Sequence, residues 1–551
     1  MHLSKIFINF VHLIKFVSVM EGEFTKDDYV FLRSKGIDRE SVNEQLAVLR
    51  ADKSYPYMVR TATLGDGIKL YTKVEEEEYI ELWKSFLEKD KQIYHFIPSS
   101  GCACRFFREL YSFMNAPYVT PQTNFEKNFF KHLQSFAFYN ELNKICINKE
   151  DKELTELMEM GKFKLILDYL LTDKGLGYGN IPHALFKFHT DKSKTFTAIA
   201  KYLPKNIVKY SSSWEDTRTP IQESLLECAM VSGVRGGNIN VCYSVKREER
   251  DIIQDFVREF KLPVEKKFGL QCHVTLPIQD KATDTISLDS KGNVLRDENG
   301  KIILKASGHG ALFPNLCDLQ ADIVFFKNID NESSDTLKKL TSHYKRVLAG
   351  ILIKNCKKIK RYMRLLDKDD ADDDQLIEII NFVENILNVK RPQILRLSRE
   401  EQISYLKSKL NRPLRVCGMV KNEDEHGGMP CWVKNPDGTL SLQIVEYYQV
   451  CDNPEYLKMF NSSTHFNPVD IVCSLTDYKG KRFDLLKFAD LSAWIPYNKT
   501  LENGETVRRL DRPGLWNGCM ADWNTIFVEV PIKTFNPVKT INDLLRQEHQ
   551  N

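Results

Sequence analysis

Apolar residues follow two rhythms along this chain. Short solid runs such as IYHFIP (93–98), INVCYSV (239–245) and IVFF (323–326) have the length and density of strands buried on both faces. Other stretches, RFFRELYSFM, PIQESLLECAM and REERDIIQDFVREF, space their apolar positions three and four apart, and the second carries Pro220 at its first turn, as helices do. Strand, helix and strand in this succession predict parallel βαβ units. FGLQCHVTLPIQ (268–279) adds a strand, and TISLDSKGNVLRDENGKIIL carries two turn signals that predict a β-ribbon.

Around this core the rhythm changes. Residues 25–90 read as polar helical material, a cap and not a core, and 334–411 reads as helical throughout, with Leu337, Leu340, Tyr344, Val347, Leu348 and Ile351 on one stripe. The run DKDDADDD inside it lacks the glycine of a calcium loop and reads as solvated. β character returns from LRVCGMV through SLQIVEYY and DIVCSL to TIFVEVPI. The chain therefore divides into an N-terminal extension and cap (1–89), a first core half (90–333), a helical insertion (334–411) and a second core half (412–551).

Composition narrows the class. Hydrophobic residues make up 42% and charged residues 28%, ordinary globular usage, and 78 basic against 75 acidic residues leave a net charge of only +3. That balance gives no chain-wide field for nucleic acid or a membrane surface, so any anion site must be local. Thirteen cysteines without a CxxC pair fit a reducing, cytoplasmic setting. The opening MHLSKIFINFVHLIKFVSVM is broken by Lys5, His12 and Lys15, is too short to span a bilayer and has no A-x-A-like site after it, so it reads as a loose amphipathic segment or as an extension upstream of a start at Met20. A soluble protein is expected.

Several small segments could carry chemistry, and each also fits a plain packing role. Ser99, Ser100, Gly101 and Cys102 open a small-residue loop between a strand and a helix, which lets backbone N–H groups approach a phosphate, with Arg105 at its end. Gly308 and Gly310 flank His309, exposing backbone to a ligand or making a turn. Asp330 follows a buried strand, where one carboxylate can share a hard cation with phosphate oxygens, or cap a turn. Gly427 and Gly428 precede a strand; Glu446 ends another; His465 and Asn467 share a loop before a third; Lys539 follows Pro537 on a rigid turn.

Taken in order, these segments resemble the UDP-sugar pyrophosphorylases of the UDP-N-acetylglucosamine and UTP-glucose-1-phosphate types. SSGCACR is similar to their arginine loop, FGLQCHVTLPIQ to the strand leading to a base-reading glutamine (Gln279), GHGALFPNL and FFKNIDN to a G-H-G segment and a magnesium-binding aspartate, EHGG with IVEYY to a glycine turn and V-E-Y strand, and FNPVK to an F-S-P-V-K turn. The whole chain also resembles an uncharacterised bacterial protein family, a domain of unknown function, that carries RVCGMVKNE, HFNPVD, PGLWNG and FNPVKT in this order.

The resemblance implies a GT-A-like α/β fold, with a mixed, mostly parallel central sheet flanked by helices, and a Mg²⁺-dependent nucleotidyltransferase acting on a nucleoside triphosphate, UTP favoured, and a sugar 1-phosphate. A glycosyltransferase on the same fold and a non-catalytic nucleotide-sugar sensor are the alternatives. It assigns Asp330 to the metal, Arg105, Lys421 and Lys539 to catalysis, Ser99 to Cys102, Gln279 and Gly308 to Gly310 to the nucleotide, and Gly427, Gly428, Glu446, His465 and Asn467 to the sugar. Departures are Cys104 where those enzymes carry threonine, Thr464 where they carry asparagine, and His183 where a lysine stands, with Lys187 four residues on.

Overall fold

A computed structural model describes residues 23–99, 106–190, 217–423, 427–501 and 504–550. The core is a nine-stranded sheet made of β1 (Thr63–Leu64), β2 (Gly67–Lys69), β3 (Ile93–Pro98), β4 (Asn238–Ser244), β5 (Gln271–Thr275), β6 (Ile323–Phe326), β7 (Leu414–Lys421), β8 (His465–Ser474) and β9 (Asn524–Glu529). Its spatial order is β1-β2-β9-β7-β8-β6-β3-β4-β5. Only β8 runs antiparallel to its neighbours, β7 and β6. The mixed, mostly parallel α/β sheet expected from the alternating pattern is present, and β6 is buried along its whole length, as its unbroken apolar run requires.

Helices α1 (Lys73–Leu87), α2 (Pro220–Ser232), α3 (Arg250–Phe268), α4 (Asp335–Lys368) and α5 (Asp373–Asn385) accompany the sheet. α3 ends at Gly269 in the left-handed conformation, so the strand expected from residue 268 begins only at Gln271. α4 joins one large apolar cluster with Tyr79 and Trp83 of α1, Val416 of β7 and Ile526 of β9. Its Val347, Leu348 and Ile351 are buried, so the first helix of the 334–411 region lies against the sheet. Part of the segment expected as cap likewise enters the core: β1 and β2 extend the sheet edge, and the Trp83 indole N–H donates to the Val231 carbonyl at 2.9 Å.

The opposite face of the sheet is covered by a second cluster containing Phe96, Phe326, Trp432 and Trp523. Residues 106–190 form a separate, phenylalanine-rich helical lobe, and Val538, Ile541 and Leu544 from the end of the chain are part of its core. The region expected as a β-ribbon holds isolated bridges, Thr285 with Lys305 and Arg296 with Ile302, instead of a continuous ladder. It packs on the first two helices, Lys26–Ser34 and Arg39–Arg50.

α1 and α4 approach closely at Gly350, where any Cβ would collide with the Tyr79 carbonyl. Gly350→Ala should therefore push the helices apart and lower the unfolding free energy by about 1–3 kcal/mol. Equilibrium urea denaturation checks this, and an unchanged midpoint would contradict the close approach.

Candidate active site at the carboxyl end of the sheet

In open α/β sheets, ligand-binding groups collect beyond the carboxyl ends of the parallel strands. Here that rim carries Ser99 after β3, Gln279 beyond β5, Asp330 beyond β6, Lys421 at the end of β7 and Glu529 at the end of β9. Because β8 is antiparallel, its first residues join the same rim, and His465 pairs with Lys421. His465 and Asn467 thus lie within a strand, not in the loop expected before it; HFNP joins the ladder across a bulge.

That bulge has a use. The register of β7 and β8 shifts between Gly418 and Val420, and Asn467 adopts φ +36°, a region that asparagine tolerates better than most residues. The kink turns its side chain toward Gly428, whose N–H donates to Asn467 Oδ1 at 2.7 Å. A Cβ on Gly427 would collide with the same amide, so the glycine pair and the bulged asparagine require one another. Gly428 also pairs with Glu446 across a short antiparallel sheet.

Glu446 then meets His309. The His309 ring accepts the Leu515 N–H at Nδ1 (2.7 Å), so its proton resides on Nε2, which faces Glu446 Oε1 at 2.7 Å. Asn517 donates to the same carboxylate at 3.0 Å, and Trp516 stacks on the imidazole at 4.4 Å between centroids. Gly310 permits this arrangement, since a Cβ there would strike the Pro513 carbonyl; Gly308, at φ +67°, lies against Asp511. The turn assigned to the nucleotide and the glutamate assigned to the sugar therefore form one wall.

Beside it stands a trio. Glu529 accepts from His465 Nε2 at 2.8 Å and lies 3.9 Å from the exposed Lys421 ammonium. Glu529 escaped the sequence reading; its signal was a lone carboxylate ending the apolar run TIFVEV.

Asp330 and Lys539 are brought together through their backbones. Val538 N–H donates to the Asp330 carbonyl (2.9 Å), Asn331 bridges Pro537, and Asn536 N–H donates to Asn331 Oδ1 (2.7 Å). The Phe106 carbonyl accepts the Ile541 N–H at 3.2 Å, close in sequence to that turn. Ser100, Gly101, Cys102 and Arg105 themselves lie outside the described residues. Ser99 is buried, with its hydroxyl donating to the Ile97 carbonyl at 3.1 Å, and Gln279 is held by its N–H on the Val245 carbonyl at 3.2 Å. Where a lysine was sought, His183 is enclosed by Phe106, Phe186 and Phe188, and burial pulls its pKa down to about 4. Lys187 ion-pairs with Glu141 in the helical lobe.

Directly beneath the rim is a network of buried ions. Lys327 binds Glu227 (3.1 Å) and Glu332 (2.8 Å), so it spans the loop that carries Asp330. Lys345 joins Glu227 (2.8 Å) to Asp470 of β8; Lys338 binds Glu223 (2.9 Å), and Arg218 reaches Asp335 (2.7 Å). Glu223 and Glu227 are four apart on α2, while Lys338 and Lys345 are seven apart on α4, which places each pair on a single helix face. Burial works against the Lys327 ammonium, yet Glu227 and Glu332 more than offset it and raise its pKa. Burial also pushes Glu332 up to about 8.

Among the described residues no group of three or more His, Cys, Asp or Glu side chains is placed to hold a metal, and no helix is long and apolar enough to cross a membrane.

The fold and rim define a mixed α/β protein with a mostly parallel sheet and a polar site at its carboxyl end. The chain belongs to the family described as Domain of unknown function (DUF4301), which matches residues 25–203 and 200–550. No curated protein matches it. Among solved structures it is similar to UDP-glucose phosphorylase from Trypanosoma brucei, at 12% identity over 94% of this chain and 77% of that one, with a TM-score of 0.41.

Two outcomes test this site. Lys345→Met strands Asp470 as a buried, unpaired carboxylate and should cost about 3–5 kcal/mol in denaturant titrations. Burial raises the pKa of Asp511, beside His309, to about 6, so the folded protein retains that proton over a range where the unfolded chain has released it. The raised value stabilises at low pH, and this contribution is lost as pH rises through 6. Asp511→Asn should match the native protein below about pH 4 and exceed it by on the order of 1–2 kcal/mol above pH 7. Parallel pH profiles would refute the assignment.

Proposed function

We propose that the protein is a nucleotidyltransferase that joins a nucleoside triphosphate, with UTP favoured, to a sugar 1-phosphate, giving a nucleotide sugar and pyrophosphate. The observation that carries this reading is the gathering of Asp330, Lys539, Lys421, His465, Asn467, Gly428, Glu446 and His309 on one rim. These residues come from distant parts of the chain, in the segments that resemble the pyrophosphorylases. One antiparallel strand within an otherwise parallel sheet supports the GT-A-like reading.

In the reaction an oxygen of the sugar phosphate attacks the α-phosphorus; a new P–O bond forms and the bond to the β-phosphate oxygen breaks. The protein's share is alignment and neutralisation of charge. Lys421 and Lys539 would hold the sugar phosphate, with Arg105 and the 99–102 loop on the leaving phosphates. Glu529 orients His465 and steadies Lys421 at the strand ends. Gln279 would face the base, Gly308 to Gly310 the ribose, and Glu446 with Gly427, Gly428 and Asn467 the sugar hydroxyls. A single carboxylate beyond β6 fits Mg²⁺, which takes one or two carboxylates and fills its remaining positions with phosphate oxygens and water. Asp330 would hold it, and the ion would supply charge stabilisation at the α-phosphate.

A second reading, a nucleotide-sugar sensor without turnover, draws on His183: a neutral ring enclosed by phenylalanines cannot do the work of a lysine on a polyphosphate.

Incubation with Mg²⁺, UTP and a panel of sugar 1-phosphates should release pyrophosphate and form a nucleotide sugar. Asp330→Asn should lower kcat by about a hundredfold or more with the melting temperature retained. Near-normal turnover in that variant would overturn the metal assignment, and binding without pyrophosphate from any pair would leave the sensor.

A further inference from the structure

A cavity of about 500 Å³ opens at the far edge of the sheet, between the β1–β2 turn, the end of α5 and Trp432. Small-molecule sites commonly have this size. Its charges are unevenly engaged. Asp66 is held by Arg60 through two bonds of 2.6 and 2.9 Å, Glu75 caps α1 through the Thr72 N–H and hydroxyl (both 2.8 Å), and Glu384 accepts the Arg391 N–H at 3.4 Å.

The lysines are less firmly engaged. Lys69, half-buried at the end of β2, forms no ion pair with a carboxylate among the described residues, and its charged neighbour is Lys358 of α4. Burial and that like charge pull its pKa down to about 8, the mark of an ammonium short of compensating anions. Lys390 rests on the Trp432 ring, 4.6 Å from its centroid, and feels the Asp66 carboxylate only at longer range, that group being bonded to Arg60. Leu70 and Tyr71 add apolar surface to the lining.

We infer that this cavity is a binding site for a small organic anion, a phosphate monoester or a carboxylate, gripped by Lys69 and Lys390 with its body against Trp432 and Tyr71. The site lies at the far end of the sheet from Asp330: β2 and β6 are four positions apart, roughly 20 Å at ordinary strand spacing. It is nonetheless connected to it. Lys69 pairs with Val528, the residue before Glu529, so a ligand on Lys69 bears on the strand that ends in the candidate site. The inference rests on the cavity alone and does not require the proposed transferase reaction.

The test is trace acetylation of the full-length protein, with Lys69 modification read by mass spectrometry in the presence of orthophosphate, glycerol phosphate or citrate, each against sodium chloride at equal ionic strength. At ten times its dissociation constant, a bound anion should slow Lys69 labelling about tenfold, while chloride leaves it unchanged. The same anion should raise the melting temperature of the native protein but not of Lys69→Gln or Lys390→Gln. Protection by the phosphates alone assigns a phosphate monoester, and by citrate alone a carboxylate. The inference is overturned if no anion protects Lys69 beyond chloride, or if both variants keep the full thermal shift. Should Lys69→Gln not fold, Lys390→Gln decides the thermal arm.

Discussion

The interaction on which the candidate site depends is the buried salt-bridge network below it. Taking an ion out of water costs several kcal/mol unless it is met by well-placed partners, and replacing such a network with apolar side chains often leaves a protein no less stable. Its contribution here is geometric. Lys327 and Glu332 bracket the Asp330 loop and close it by their own bond, Glu227 secures that closure to α2, and Lys345 secures Glu227 to β8. The loop after β6, two helices and the antiparallel strand are thereby fixed relative to one another by directional contacts. Apolar packing between the same elements would tolerate sliding of a kind that an ion network in a low-dielectric interior does not.

The rim above inherits this rigidity unequally. Asp330 and the 536–539 turn are held by backbone hydrogen bonds, and Asn467 by a bulge, so their positions are set by the fold. Lys421 projects from a strand end into solvent and, among the described residues, is restrained by Glu529 at 3.9 Å. His309 lies between these extremes, with both ring nitrogens engaged and a tryptophan across its face. The groups that shape the rim are thus built in, whereas the Lys421 ammonium keeps more freedom.

Much of the framework was legible because buried parallel strands announce themselves: IYHFIP, INVCYSV, IVFF and TIFVEV all appear as strands where the apolar runs placed them. The ends of those runs also pointed to the rim. Lys327 and Glu332 were hidden because charges next to a strand end look like solvated loop residues, and Lys338 and Lys345 because periodicity counts apolar positions and is blind to a paired ion within the stripe. The joining of His309 to Glu446 is a long-range contact with no local signature. β8 was misjudged at its start because Asn467 and Pro468 resemble a turn, and only the bulge reconciles them with a ladder.

β8 has a consequence for how the chain reaches this state. It fills the gap between β6, made early, and β7, made later, and it is synthesised after both. Until residue 474 has left the ribosome, β6 presents an open hydrogen-bonding edge lined with isoleucine, valine and phenylalanine. Such edges recruit other strands. The two halves of the sheet are thus joined through one strand made late in the chain, and the first half carries an open edge until that strand is inserted.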